Sequence, residues 1–102
     1  MDVSYILNEL GEEREKYFNA IAPPIIQTSN FKFDTLAEFR AALADEYQGN
    51  LYSRGFNPTI DIQRKKLAAL DGAEDALVFS SGIAAMTIPV LSLLKSGDEV
   101  IA

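Results

Sequence analysis

The chain of 102 residues contains neither cysteine nor histidine. The lack of cysteine excludes a disulfide framework and thiolate chemistry, and the lack of histidine removes the commonest metal ligand and the usual general base. The net charge of −6 argues against an overall basic surface of the kind that binds nucleic acid. No apolar run approaches the length of a membrane span, and the N-terminal segment MDVSYILNELGEEREK has no signal-peptide pattern. We therefore expect a cytoplasmic protein that binds no metal, nucleic acid or membrane.

The balance of 48% apolar and 24% charged residues is that of a globular protein. Residues 3–18 show a weak helical pattern, and their charged run at 12–16 is expected to be a solvated face. Residues 19–33 change character because two consecutive prolines exclude a continuous helix. The large apolar side chains of that segment must be buried against the chain's own domain or against another chain: Ile25, Ile26, Phe31 and Phe33.

Two further helices have clear end signals. Thr35 and Glu38 stand at the spacing of a capping box, which predicts a helix over residues 35–47. Asn57 is suited to cap a second helix over residues 58–70, with proline at its first position and glycine just beyond its end. The apolar residues of this second helix are predicted to face inward and its lysines outward: Ile60, Leu67 and Leu70 against Lys65 and Lys66.

The last third of the chain predicts the opening of an α/β domain. Residues 76–79 form a continuous apolar run, as in a buried parallel strand, and residues 83–95 are apolar nearly all round, as in a buried helix. Residues 98–102 begin another strand. Because a parallel sheet needs more strands and helices on both faces, we expect a truncated domain over residues 59–102, preceded by a helical and extended arm over residues 1–58.

Two short motifs carry candidate chemistry. In Phe79-Ser80-Ser81-Gly82-Ile83 a strand leads through serines and glycine into a helix N-terminus. Such a terminus attracts anions, although a serine there also serves as a plain helix cap. In Tyr52-Ser53-Arg54 the tyrosine and arginine lie on the same side if the segment is extended, and there they can donate hydrogen bonds to a phosphate. The alternative interpretation is a packed tyrosine beside a surface arginine. The residues alone leave both pairs of alternatives open.

The strings YSRGFNPT (52–59) and FSSGIAAM (79–86), with APPIIQTSNFKF upstream, resemble the Cys/Met metabolism family of pyridoxal-phosphate (PLP) enzymes. That family includes cystathionine γ-synthase, cystathionine γ-lyase, methionine γ-lyase and O-acetylhomoserine sulfhydrylase. The resemblance implies the fold-type-I, aspartate-aminotransferase-like large domain. It also implies a homo-oligomer, a dimer or a homotetramer built as a dimer of dimers, with shared active sites.

The resemblance implies a role for five residues in binding the cofactor phosphate. Ser81, Gly82 and Ile83 match the loop that holds the phosphate, and Tyr52 and Arg54 match residues that reach the phosphate in the neighbouring subunit. Family members commonly have methionine where this chain has Ile83, a change of little consequence because the contact there is through the backbone N–H.

The resemblance places no catalytic residue in this chain. The family's Schiff-base lysine, and the groups that hold the cofactor ring, are expected beyond Ala102. All five lysines are interpreted as surface residues: Lys16, Lys32, Lys65, Lys66 and Lys95.

The leading hypothesis for function is therefore the N-terminal part of an enzyme of trans-sulfuration or of methionine and cysteine metabolism. Such an enzyme eliminates or replaces a group at the β or γ carbon of cystathionine, methionine or an O-acylhomoserine. One alternative is a non-catalytic dimerisation and phosphate-binding element. Another is a different PLP or phosphosugar α/β protein that shares only the serine-glycine loop, although the Tyr-Ser-Arg string argues against it. An apolar Leu51, where cystathionine-processing members often have an acidic residue, favours a substrate with a small or neutral far end.

Overall fold

The computed structural model describes residues 1–102 apart from the side chain of Gln48. Four α-helices are joined by irregular chain: α1 Val3–Asn8, α2 Leu36–Ala44, α3 Pro58–Asp71 and α4 Gly82–Leu93. Two short 3-10 turns accompany them: Arg14–Tyr17 and Glu46–Gln48. Helix α1 packs on α3, and α2 packs on the 3-10 turn that follows it.

The predicted start of α2 and both predicted ends of α3 are confirmed, whereas α2 ends at Ala44, before the predicted end at residue 47. The Thr35 hydroxyl accepts from the Glu38 N–H, and the Glu38 carboxylate accepts from the Thr35 N–H, each at 3.2 Å, which completes the capping box. Asn57 caps α3 by accepting the Thr59 N–H at 2.9 Å. Gly72 ends α3 with a φ of 67°, a left-handed conformation that glycine adopts without steric cost.

The weak helix predicted over residues 3–18 is shorter than expected. Helix α1 ends at Asn8, and the chain turns through left-handed conformations at Gly11 and Glu13, with φ values of 79° and 43°. The prediction that the charged run at 12–16 is a solvated face is wrong for Glu12, because this side chain is buried against α3.

The chain exposes more surface than a compact protein of its size. Its accessible area is 8239 Å², whereas a folded monomer of this mass exposes about 5,700 Å². The radius of gyration is 16.9 Å, against about 13 Å for a compact domain of 100 residues. Within the described part of the chain the buried apolar residues are only three: Ile6, Ala42 and Ala68.

The apolar faces predicted to point inward are therefore largely uncovered. Ile60, Leu67 and Leu70 of α3 are each more than 40% exposed, so the prediction that they face a core is wrong for this chain by itself. Helix α4 forms over Gly82–Leu93, close to the predicted range of 83–95 and with Pro89 inside it, but the predicted burial is wrong for this chain by itself, because α4 packs on no other helix among the described residues.

The strands predicted on either side of α4 are not formed. Among the described residues, β pairing is limited to one isolated antiparallel bridge between Asn30 and Tyr52. Residues 76–79 and 98–102 have no neighbouring strand to accept their backbone hydrogen bonds, and a strand is defined by such pairing. Of the predicted strand–helix–strand unit, the helix is therefore observed and the two strands stay a prediction.

Candidate phosphate-binding site

The start of α4 presents unused hydrogen-bond donors. Ser81 is the N-cap residue, and its hydroxyl oxygen accepts the Ala84 N–H at 3.1 Å. The next bond of the helix runs from the Ala85 N–H to the Ser81 carbonyl at 3.1 Å. The N–H groups of Gly82 and Ile83 have no acceptor within the described chain. The terminus therefore offers two backbone donors and the remaining hydroxyl proton of Ser81 to one ligand.

The surroundings of this helix start are open. A Cβ atom added to Gly82 would meet no atom within 4 Å, so a ligand can approach the backbone closely. The partial positive charge of a helix N-terminus favours an anion over a neutral group. The two interpretations of the serine are compatible, because Ser81 caps the helix through its lone pair and keeps its proton for donation.

Tyr52 and Arg54 form the second group of donors. The Arg54 guanidinium carbon lies 5.4 Å from the centre of the Tyr52 ring, a cation–π contact. Both side chains are exposed, and no carboxylate of the described residues lies within ion-pair distance of Arg54. The guanidinium thus keeps its full set of donors for an anion.

The structure brings these predicted residues together in two groups and does not join the groups. Tyr52 contacts Arg54, and Ser81 leads directly into Gly82 and Ile83. No hydrogen bond, ion pair or ring contact between described residues connects one group with the other. Each group offers hydrogen-bond donors to a ligand, namely backbone N–H, hydroxyl and guanidinium groups, which is the chemistry that a phosphate requires.

Arg64 is a buried charged residue that the sequence patterns did not indicate. Its side chain is 8% exposed and forms ion pairs with Asp75 at 2.5 Å and Asp61 at 3.3 Å. It also donates to the Ala76 carbonyl at 2.7 Å and lies 4.7 Å from the Phe56 ring centre. The Ala76 N–H and the Arg64 guanidinium lower the pKa of Asp75, against the effect of partial burial. Arg64 therefore fixes the segment that leads from α3 towards α4.

A second buried cluster joins the N-terminal arm to α3. Lys66 forms an ion pair with Glu12 and donates to the Leu7 carbonyl at 2.8 Å. Arg14 binds the other oxygen of Glu12 at 2.6 Å. The hydrogen bond from Lys66 is the main cause that lowers the pKa of Glu12. The prediction that Lys66 is a surface lysine is therefore wrong, since its side chain is only 18% exposed.

The sequence signal for both clusters is weak, because their partners are distant along the chain.

An open cleft of about 360 Å³ beside Arg64 is lined by positively and negatively charged residues and by none of the five predicted phosphate ligands. In the part of the chain that the structure describes, no three acidic side chains gather in a way that could hold a metal ion. None of the described helices has the length and apolar character to cross a membrane.

Comparison with known proteins assigns a family to almost the whole chain. The family model for the Cys/Met metabolism PLP-dependent enzymes matches residues 6–102. L-methionine gamma-lyase of Pseudomonas putida is 37% identical over 91 residues, which are 89% of this chain and 23% of that enzyme. O-succinylhomoserine sulfhydrylase of Pseudomonas aeruginosa is 43% identical over 77 residues, 76% of this chain and 19% of that enzyme. A putative cystathionine gamma-lyase 2 of Caenorhabditis elegans is 41% identical over 93 residues, 90% of this chain and 21% of that protein. The chain thus spans about a fifth to a quarter of the length of these relatives.

Proposed function

The chain belongs to the Cys/Met metabolism family of PLP-dependent enzymes, and on that premise we propose that it is the N-terminal portion of an enzyme of sulfur amino-acid metabolism. Pyridoxal phosphate is the cofactor expected for this family. The reaction proposed is elimination or replacement at the β or γ carbon of methionine, cystathionine or an O-acylhomoserine. The names of the relatives, two lyases and a sulfhydrylase, support both kinds of reaction.

The observation that carries the proposal is the unpaired guanidinium of Arg54 beside Tyr52. No described carboxylate pairs with Arg54, as is also true of Arg40, but Arg54 alone of these two lies against a tyrosine ring, 5.4 Å from its centre. Together with the free N–H groups of Gly82 and Ile83 at the start of α4, it supplies donors of the kind that a phosphate monoester requires. These residues fit the cofactor phosphate.

In this proposal the residues of the chain bind and orient the cofactor and do not attack the substrate. When bound, pyridoxal phosphate acts as an electron sink, which makes bonds at the β and γ carbons of an amino acid labile. Ser81, Gly82 and Ile83 hold one side of the phosphate, and Tyr52 and Arg54 hold the other. The lysine that bonds to the cofactor is expected outside these 102 residues.

The partner in this proposal is a second copy of the protein. Tyr52 and Arg54 would reach the phosphate bound by the neighbouring subunit in a dimer or homotetramer. The uncovered apolar residues of the arm support such an interface, since Ile21 and Ile25 are 82% and 73% exposed. In the large fold-type-I domain, residues 76–79 and 98–102 would pair as the strands on either side of α4. The cytoplasmic location also stays a prediction.

Leu51 narrows the proposed substrates. An apolar side chain beside Tyr52 cannot pair with the distal ammonium of cystathionine, and an unpaired buried charge is costly. The proposal therefore favours methionine or an O-acylated homoserine over cystathionine.

The experiment that tests the proposal is cofactor retention in the full-length protein that carries this chain. Arg54→Ala removes a charge-assisted bond to phosphate, worth about 1.5–3 kcal/mol, so the dissociation constant of PLP should rise about 10- to 100-fold. Arg40→Ala is the matched control, because Arg40 is an exposed arginine on α2 without an ion pair among the described residues. Equal PLP retention in both variants after dialysis would contradict the assignment.

A further inference from the structure

The loop that carries Tyr52 and Arg54 is bound to an extended part of the N-terminal arm. The Ser53 N–H donates to the Ser29 carbonyl at 2.9 Å, and the Phe31 N–H donates to the Leu51 carbonyl at 3.4 Å. Residues 26–31 of the arm, which we call the arm segment, therefore run beside residues 51–53. This contact, together with the bonds that the Gly55 and Phe56 N–H groups donate to the Tyr52 carbonyl, holds the backbone of the two proposed phosphate ligands, whose side chains have no polar partner among the described residues.

One buried side chain, Asn57, ties the arm segment, the loop and α3 together. Asn57 is 6% exposed. Its Nδ2 donates to the Ile26 carbonyl at 3.0 Å and to the Ser53 hydroxyl at 2.9 Å. Its Oδ1 accepts the Thr59 N–H at 2.9 Å as the cap of α3. The amide thus uses both of its protons and its oxygen on three different parts of the chain.

Two hydroxyl groups complete this connection. Thr59 Oγ1 accepts the Ile26 N–H at 2.9 Å, so that both backbone groups of Ile26 are held by the start of α3. The Ser53 hydroxyl, which accepts from Asn57, donates in turn to the Thr28 carbonyl. A chain of hydrogen bonds therefore runs from α3 through Asn57 and Ser53 to the arm segment.

A helix cap does not need the amide protons of Asn57. Serine, aspartate and asparagine cap helices about equally well, because the cap requires only an oxygen acceptor. Serine would therefore cap α3 as well as asparagine does, but its single short hydroxyl would not reach both Ile26 and Ser53. The second function of Asn57, as a buried donor to two acceptors, is what distinguishes it from the other cap residues of this chain.

We propose that Asn57 is a positioning residue for the cofactor phosphate: it fixes the loop backbone that carries Tyr52 and Arg54 without touching the phosphate. This inference rests on the proposed function. This role requires that the loop backbone have one conformation before the cofactor arrives, so that only the side chains of Tyr52 and Arg54 lose conformational freedom when they bind. Loss of the two donor bonds weakens the contact between the loop and the arm segment, which then rests on the backbone bonds alone, while α3 keeps its cap.

The test compares Asn57→Ser with Thr35→Ala in the full-length apoprotein. Asn57→Ser retains a cap acceptor for α3 and loses the two donor bonds. Thr35→Ala removes a cap of ordinary strength from α2 and touches no part of the loop. Two quantities are measured: the dissociation constants of PLP and of phosphate-free pyridoxal, and the hydrogen exchange of the Ser53 amide.

Asn57→Ser should weaken PLP binding about five- to tenfold, on the order of one lost hydrogen bond, and leave pyridoxal binding unchanged. The Ser53 amide should exchange faster in Asn57→Ser and at the wild-type rate in Thr35→Ala. Ser53→Ala, which removes the hydroxyl between Asn57 and the arm segment, should show the same selective loss of PLP affinity and serves if Asn57→Ser does not fold.

The outcomes separate the inference from the function on which it rests. If Arg54→Ala lowers the preference for PLP over pyridoxal but Asn57→Ser and Ser53→Ala leave it unchanged, the positioning role is wrong and the phosphate role of Arg54 stands. If Asn57→Ser weakens PLP and pyridoxal equally, Asn57 is merely structural. If Arg54→Ala itself leaves the preference unchanged, the phosphate site is wrong and the inference is overturned with it.

Discussion

Replacing Lys66 by methionine is expected to loosen α1 from α3. Lys66 joins the two helices by its ion pair with Glu12 and its hydrogen bond to the Leu7 carbonyl at 2.8 Å. Methionine keeps most of the apolar stem and fits the same space, so the change removes the charge and the two hydrogen bonds rather than the packing. Among the described residues, Glu12 then keeps Arg14 as its one cationic partner, at 2.6 Å.

The expected loss follows from burial. The side chains of Lys66 and Glu12 are 18% and 9% exposed, so solvent screens their attraction little. Breaking a fully buried pair costs about 3–5 kcal/mol, and a hydrogen bond to a charged group is worth about 1.5–3 kcal/mol. Because Lys66 is not fully buried and Arg14 still neutralises Glu12 in the variant, we expect less than for a fully buried pair, about 2 kcal/mol for the local opening of α1, within the range of a hydrogen bond to a charged group.

The pH dependence has a defined sign. Lys66 lowers the pKa of Glu12 below its ordinary value of 4.5. A carboxyl group whose pKa is lowered by folding contributes stability above its unfolded pKa and loses it as the pH falls through the folded pKa. The difference between wild type and Lys66→Met should therefore be full near neutral pH and shrink as the pH falls below about 4.5.

Native-state hydrogen exchange of the α1 amides in the full-length protein measures this opening directly. A loss of about 2 kcal/mol corresponds to roughly 30-fold faster exchange of amides such as those of Ile6 and Glu9. Lys65→Met is the matched control, because the neighbouring lysine forms no ion pair among the described residues. Equal protection of α1 in the two variants at neutral pH would refute the assignment of the Lys66–Glu12 pair as the link between the helices.

Two further predictions concern a helix end and the lysines. Gly72→Ala should destabilise the end of α3 by about 1 kcal/mol, because alanine is strained at the φ of 67° although nothing crowds the site, and the Ala73 amide should exchange about fivefold faster. Gly49→Ala is the control, since its backbone is extended and its surroundings are equally open. Borohydride reduction of the PLP-loaded full-length protein, followed by peptide mapping, should trap no stoichiometric label on any lysine of these 102 residues. Such a label on Lys95, for example, would show that the chain contains the cofactor lysine.

The sequence predicted local features well because their causes are local. The capping box of Thr35 and Glu38 and the cap at Asn57 depend on residues within a few positions, and each forms as predicted. The pairing of Lys66 with Glu12 spans 54 positions, and no periodicity reveals which charges meet across such a distance. The burial of both residues was missed for this reason.

At the candidate site, too, the sequence missed the contacts that join residues distant along the chain. The sequence indicated each group of phosphate donors from its own neighbours, but the side chain that positions the loop, Asn57, was interpreted only as a helix cap. Its bond to Ile26 crosses 31 positions and became visible only in the folded chain. The predicted strands at 76–79 and 98–102 depend likewise on pairing with distant residues, and none of the described residues pairs with them.

The central claim is that the start of α4 and the Tyr52–Arg54 pair hold the phosphate of pyridoxal phosphate, and a crystal structure of the full-length protein with bound PLP tests it most directly. We predict phosphate oxygens within about 3.2 Å, hydrogen-bond distance, of the Gly82 and Ile83 amide nitrogens. The Arg54 guanidinium and the Tyr52 hydroxyl should reach the same phosphate from the second subunit. A phosphate bound elsewhere, with these donors facing solvent or other protein groups, would contradict the account.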